Sequence, residues 1–570
     1  MLCWRAPLPP NPARYDLTPG CSRTFRHARP RNGASFKPAS APVSRSAHKP
    51  LVHFFLEEAP GPHDVATIRL PSHPHAIPQR FRQEAYPLAG LLAPAALSFE
   101  NGAAGLDYHV TVVRDGITAR HTVFAPNQVR QDHLGRTILT PTGWLRLWHS
   151  DPDGPPDEDG PFPTEFEAAF AAAMDVVGVH SWPATWPYFD QLRIDLDLPG
   201  IERRLLWQDE CLSTAEGLHE DLYFSLLELF QLRADLPVGD RTAQPGQIIP
   251  NIRNVAGPAH LRVTLTSPTV APEPPAKPID LATAAAPLTR PQIHTALAAL
   301  GGTPISTTSF QGRTIEGRIF PGTGLGVVIT GGQHGNETTG VVGALRAAPT
   351  LRDCGVRFAV IPQENADGYA LHSALRVNNP RHMHHAARYT ALGDDLQYRI
   401  AEPFYEKSTR LEAFRRTEAG LYLNLHGYPS HEWSRPLSGY ITRGFEAWSM
   451  PKGFYLILYH PPGERAAAEA FLKALAERVS CVPGLAELNH TQIKAWHTHA
   501  GISPEPIFHG IPCIIQEATD HPVPYTLITE YPDETIYDDA FRLGHTAQMV
   551  TVVEAVTLYR AGLLPTVPAA

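Results

Sequence analysis

His334 and Glu337 stand three residues apart in GGQHGNETTG (331–340), directly after the apolar run LGVVIT. Side chains three apart on a helix share a face, so an imidazole and a carboxylate can grip one metal ion. Three other apolar runs end on polar residues. His426 follows LYLNL, Glu517 follows IPCIIQ, and Asn365 and Asp367 follow VRFAVIP. In an open α/β sheet, ligands collect beyond the carboxyl ends of the strands, so these side chains are expected to meet. Two histidines, a glutamate and an open fourth position make a catalytic zinc pattern. Zinc lowers the pKa of a coordinated water towards ~7 and polarises a carbonyl. The expectation is one Zn²⁺ held by His334, Glu337 and His426. Glu517 would be the general base that takes the water's proton and passes it to a leaving amine.

His-x-x-Glu alone is common on helix surfaces, but here glycines 331, 332 and 335 permit a tight strand-to-helix turn and a close backbone approach. Both ligands are expected on the first turn of the helix that Thr338 and Thr339 start. A carboxylate left unpaired at the end of an apolar strand is costly, which favours a site role for Glu517. His382, His384 and His385 read as loop or helix histidines near the cleft, not as a second metal site.

The elements that must carry these residues alternate. Apolar runs at 325–330, 356–362, 421–425, 454–459 and 511–516 are interleaved with helical stretches at 338–348, 464–479 and 538–562. Continuous apolar strands between helices predict an α/β domain over 293–565: a mixed, mostly parallel sheet with helices on both faces. A proline-rich stretch, 268–292, reads as a semi-rigid linker. Before it, 51–267 reads as an N-terminal mixed α/β domain without legible chemistry. It includes helices at 163–177 and 213–232, the latter opening on a Ser213-x-x-Glu216 capping box. The acidic stretch 151–160 lacks ordered calcium-ligand spacing and reads as a solvated loop.

Composition narrows the function. The 570 residues carry a net charge of −9, and a nucleic-acid footprint would be basic. No nucleic-acid or membrane partner is expected; the oligomeric state is not legible. Six cysteines are scattered without a Cys-x-x-Cys pair, so reduced thiols and a cytoplasmic setting are expected. No apolar run is long enough to span a bilayer. Residues 1–50 are rich in Arg, Pro and Ser, with Asp16 the only acid; a disordered extension is expected.

Over about 293–560 the sequence resembles the zinc metallocarboxypeptidases. It is also similar to their amidohydrolase cousins, the aspartoacylase and succinylglutamate desuccinylase group. GGQHGNE resembles the first metal motif, LNLHGY (423–428) the third-ligand strand, ENADGY (364–369) the Asn-Pro-Asp-Gly segment with Ala366 for proline, and IIQEATDHP (514–522) the strand bearing the base. The His₂Glu set is the one known in carboxypeptidase A. The resemblance implies hydrolysis of a peptide or acyl-amino-acid amide bond beside a free carboxylate. An N-acyl-amino-acid amidohydrolase is the alternative, and a non-catalytic zinc-binding protein a third reading. It implies two arginines. DDLQYR favours Arg399 for the substrate carboxylate and Arg388 for the oxyanion, with Arg381 the rival for the oxyanion. Asn365 and Tyr428 become substrate-binding candidates, and a cis peptide is implied at Gly427–Tyr428. A histidine of AWHTHAG (495–501) stands where those enzymes carry a mobile tyrosine, and the side-chain pocket is implied near Ile502–Glu505.

Overall fold

The computed structural model describes residues 3–4, 47–147, 156, 158–270, 273–501 and 505–565. Most of the expected extension over 1–50, much of the acidic loop 151–160 and residues 502–504 lie outside the described residues. Ala47 to Pro50, at the edge of that extension, are buried, and Lys49 is ion-paired with Glu432.

The C-terminal half is built on one nine-stranded sheet. Its strands, in chain order, are β1 (Thr303–Thr308), β2 (Thr314–Phe320), β3 (Thr323–Gly331), β4 (Val356–Ile361), β5 (Ala419–Pro429), β6 (Tyr455–His460), β7 (Ile507–Phe508), β8 (Ile511–Glu517) and β9 (Tyr525–Glu534). The spatial order is β1-β2-β4-β3-β5-β9-β6-β8-β7. The centre, β4-β3-β5-β9, is parallel, as is β6-β8, while β9-β6 and both edges are antiparallel. The sheet is therefore mixed but only half parallel. The antiparallel pairing of β6 with β9 was not legible, because an apolar run does not state its direction.

The central strands are apolar along their length because both faces are covered. Val327, Val328 and Ile329 of β3 are fully buried. One face packs on helices α2 (Thr339–Asp353), α5 (Arg465–Val479) and α7 (Asp538–Arg560). The other holds Val328, Ala359, Ile361 and Tyr422 with Ala413 and Phe414 of α4 (Lys407–Thr417). The half also contains α1 (Arg290–Ala299), α3 (Ala366–Leu375) and α6 (Leu485–Ala500).

Among the described residues, the region before the linker carries two four-stranded sheets and three two-stranded ones. A four-stranded one, around Val65–Ser72 and Asp107–Arg114, has its own core with Leu51, Phe54 and Phe81. The second pairs Gln191–Leu198 with Gln247–Asn254 and His260–Thr266 under the helix Thr214–Arg233. Its core runs on into the C-terminal half through Leu371, Met383, Tyr389 and Trp433.

The helix Thr214–Arg233 buries Glu216, Glu220, Asp221 and Glu228. Buried carboxyl groups are costly without hydrogen-bond partners, and each has one across the boundary. Glu216 meets His431 at 2.9 Å, Glu220 meets His385 at 2.7 Å, and Glu228 meets Arg435 and Arg443 at 2.6 Å. Asp221 accepts from the Leu437 N–H at 2.6 Å. Ser213 caps the helix by accepting from the Glu216 N–H. The Glu216 carboxylate turns instead to His431 and the Met383 N–H. No helix among the described residues is long and apolar enough to cross a membrane.

Candidate metal centre

His334 and Glu337 lie in the turn between β3 and α2, and the helix starts only at Thr339. The ligands therefore precede the first turn. Gly332 sits at φ +59°, and a side chain at Gly335 would come within 2.3 Å of the Gly368 backbone, so this turn requires its glycines. α2 lacks a cap from Thr338. Asp533 on β9 supplies it: one carboxylate oxygen accepts from the Thr338 and Thr339 N–H groups and from the Thr339 hydroxyl, at 2.7–3.0 Å. An anion at a helix N-terminus is favoured electrostatically.

His426 arrives on β5, parallel to β3. His334 Nδ1 is 2.6 Å from Glu337 Oε1, and His426 Nδ1 is 2.9 Å from Glu337 Oε2. The two imidazole Nδ1 atoms are 3.2 Å apart. One ligand atom from each residue lies within 4.8 Å of the others, and all three residues are buried; no other such group occurs among the described residues. Two imidazole nitrogens facing each other across a carboxylate are satisfied by a cation between them. The donor set thus fits a zinc-type ion, with no fourth protein ligand closing it.

The surroundings orient the three. Asp395 Oδ2 is 3.5 Å from His334 Nε2, the arrangement that leaves Nδ1 as the ligand atom. Gln548 donates to the His426 carbonyl at 2.8 Å. The Gly427 N–H donates to Glu337 Oε2 at 3.0 Å, and Arg388 Nη1 to Glu337 Oε1 at 2.9 Å. Burial opposes charge on Glu337, but the two histidines hold its pKa well below the usual range. Burial and Arg388 work against the His334 imidazolium, yet Glu337 and Asp395 leave its pKa raised. Burial lowers that of His426 despite Glu337.

Glu517 is not brought to this group. It ends β8, pairs with His460 of β6 and is exposed; β6 and β9 stand between it and β5. The carboxylate beside the group is Glu530 of β9. It is the register partner of His426 on one side and of Tyr455 on the other, so the three side chains form a row on one face. Its Oε2 is buried without a hydrogen-bond partner. Burial, then the charge of Glu337, pushes its pKa well above the ordinary range. The sequence signal was thin: YTLIT is short and threonine-rich beside IPCIIQ. The cue available was position, a glutamate directly after an apolar run and shortly before the last helix.

The other candidates separate clearly. Arg388 touches the metal group. Arg381 lies 3.4 Å from Asp209 and over the Tyr537 ring, partly exposed. Arg399 is buried with all five N–H donors engaged, by Asp394, Glu406, Thr390 and the Phe404 carbonyl, so it has none left for a substrate. Asn365 caps α3 through the Gly368 N–H and donates to the carbonyls of Arg388 and Tyr389; it holds the Arg388 segment. The Tyr428 hydroxyl donates to the Gly453 carbonyl and accepts from the Lys452 N–H. The cis peptide bonds among the described residues all precede proline, so Gly427–Tyr428 is not one. His382, His384 and His385 find separate partners in Glu202, His372 and Glu220. His499 of AWHTHAG packs on Tyr86 and Phe99, away from the metal group.

Solved structures with a similar fold over part of the chain are metallopeptidases and carboxypeptidases. A putative metallopeptidase from Shewanella denitrificans aligns at 16% identity, covering 47% of this chain and 89% of its own, with a TM-score of 0.30. A metallo-carboxypeptidase from Burkholderia cenocepacia aligns at 14% identity, covering 48% and 70%, with a TM-score of 0.30. Carboxypeptidase A from Helicoverpa armigera aligns at 12% identity, covering 48% and 71%, again with a TM-score of 0.30. No protein-family profile matches the chain, and no curated protein does. At that overlap none of these likenesses assigns a residue or an activity to it.

Proposed function

We propose that the chain is a zinc-dependent hydrolase that cleaves a peptide or amide bond beside a free carboxylate. The observation that carries this reading is the row His426–Glu530 next to His334 and Glu337: an open three-ligand group with an unpartnered carboxylate in register beside it. A divalent ion bound there supplies a Lewis acid and lowers the pKa of a coordinated water. Glu530 holds the proton taken from the attacking water and delivers it to the leaving nitrogen. Its raised pKa favours holding the proton between the two transfers. Arg388, fixed 2.9 Å from Glu337, supplies positive charge where the oxyanion develops. Asn365 keeps that arginine's backbone in place.

The substrate proposed is short, an acyl-amino acid or small peptide. One residue from before the linker approaches the group: Arg241 lies 3.9 Å from Asp395, which faces His334.

The test is metal analysis of the purified chain, with hydrolysis of N-acyl-amino acids and di- and tripeptides followed by amine release, with and without a chelator. Chelator-sensitive turnover restored by zinc is expected. A chain that takes up no zinc, or turnover indifferent to the chelator, contradicts the reading.

A further inference from the structure

With Arg399 saturated and Arg388 assigned to the oxyanion, no further arginine stands against the metal group for the carboxylate that the proposed reaction needs. The sheet offers a different cation. The row His426–Glu530–Tyr455 crosses three adjacent strands, and beyond Tyr455 stands Lys452. Its ammonium lies 4.5 Å from the ring centroid of Trp448, 5.1 Å from that of Tyr455 and 5.5 Å from that of Trp496. Such rings stabilise a cation but accept no conventional hydrogen bond from it.

Two of these walls carry donors of their own. The Tyr455 hydroxyl and the Trp496 indole nitrogen are buried without a hydrogen-bond partner. The carboxylates whose charge reaches Lys452 are Glu505 and Glu530; among the described residues neither is ion-paired with it. Donors without acceptors thus surround one ammonium, and buried polar groups left in that state are expensive. An anionic, acceptor-rich ligand group satisfies them together, with a charge-assisted bond to the lysine.

The lysine is also held in place. Its own N–H donates to the Tyr428 hydroxyl at 2.9 Å, so the strand that carries His426 fixes it. The next N–H groups, of Gly453 and Phe454, donate to Gln492 and Asn489 of α6 at 2.9 and 2.7 Å. Gly453 sits at φ +86°, and a side chain there would strike Asn489. A cation on so fixed a backbone needs little reordering to bind.

We propose that Lys452, lined by Trp448, Tyr455 and Trp496, is the residue that receives the substrate's free carboxylate. This rests on the hydrolase reading for what the ligand is. The chemistry of the corner, an ammonium with unused donors one strand beyond Glu530, requires only a carboxylate-bearing ligand.

The test is calorimetric binding of N-acetyl glycine, leucine, phenylalanine and glutamate, each as the free acid and as the α-carboxamide. Zinc-loaded and chelator-treated protein are both used. At least one free acid is expected to bind wild type about tenfold or more tightly than its amide. Lys452→Met should erase that preference, Lys452→Arg should restore most of it, and Arg381→Met should leave it unchanged. Binding should quench Trp448 and Trp496 fluorescence. No acid–amide preference in wild type, a preference that survives Lys452→Met, or one that disappears in Arg381→Met would overturn the proposal. Circular dichroism of Lys452→Met excludes unfolding, and a folded Lys452→Arg decides the matter if the methionine variant fails. Because chelator-treated protein is titrated too, loss of the hydrolase reading and loss of this one give different results. In the first, turnover is absent while the Lys452-dependent preference persists; in the second, turnover is present without it.

Discussion

β8 and β9 each carry a glutamate directly after an apolar run, and the two glutamates lie differently in space. Glu517 is the last residue of β8, whereas Glu530 follows YTLIT in the middle of β9, which runs on to Glu534. Glu517 is exposed beside His460, whereas Glu530 faces His426 in register with an unpartnered carboxylate oxygen. The difference is one of strand order. A glutamate comes to lie beside the candidate metal group only if its strand neighbours the one that carries His426, and neither hydrophobicity nor the carboxylate itself states which strands are neighbours. β9, the last strand in the chain, inserts between β5 and β6, and that crossover places Glu530 there and leaves Glu517 outside.

Exchanging the two carboxylates for amides breaks this contrast or sharpens it. Glu530→Gln should lower kcat by about 10²–10⁴ with bound zinc unchanged by metal analysis. Glu517→Gln should leave kcat within roughly twofold, as exposed substitutions usually cost little. The reverse pattern would return the base to β8.

A second contrast separates Arg388 from Arg399. Arg399→Met removes one partner from a buried ion network and should cost about 3–5 kcal/mol of stability in urea unfolding. KM of the surviving folded protein should change little. A raised KM with unaltered stability would give Arg399 back its substrate role.

The boundary between the two halves has its own reporter. Burial disfavours the His431 imidazolium, but Glu216, with Glu210 and Asp209 behind it, outweighs that and lifts the pKa to about 9. A histidine whose pKa is raised by folding stabilises below its unfolded pKa, near 6.5, and loses that contribution as pH rises through 9. Stability measured from pH 6.5 to 9.5 should therefore fall by up to about 3 kcal/mol. His431→Gln should flatten the dependence; an equal slope in the variant would place its origin elsewhere. The smallest effect expected is that of Asn365→Ala. Loss of the α3 cap should cost about 1 kcal/mol, together with a drop in kcat through Arg388 rather than a change in metal content.

Legibility in the sequence followed the same line as the two glutamates. The grouping of the three candidate ligands was readable because His334 and Glu337 sit on one glycine-rich turn and His426 follows an apolar run, features that are local. The α/β character of the C-terminal half was readable from apolar runs of strand length between helices. What was hidden depends on pairing at a distance: the direction of β6 against β9, the position of Glu530, and the network that saturates Arg399. Asn365 and Tyr428 were noticed for their type, but their hydrogen bonds hold the Arg388 segment and the Lys452 turn. In the N-terminal half, the four acids on Thr214–Arg233 carry no local sign of burial; their partners lie 165 to 216 residues later.

The most direct test of the central claim is crystallographic. Zinc-soaked crystals measured at the zinc edge should show one anomalous peak per chain, about 2.0–2.2 Å from His334 Nδ1, His426 Nδ1 and a Glu337 oxygen, with Glu530 the carboxylate on its open side. No peak at that group, or a peak whose open side faces away from Glu530, would contradict the account.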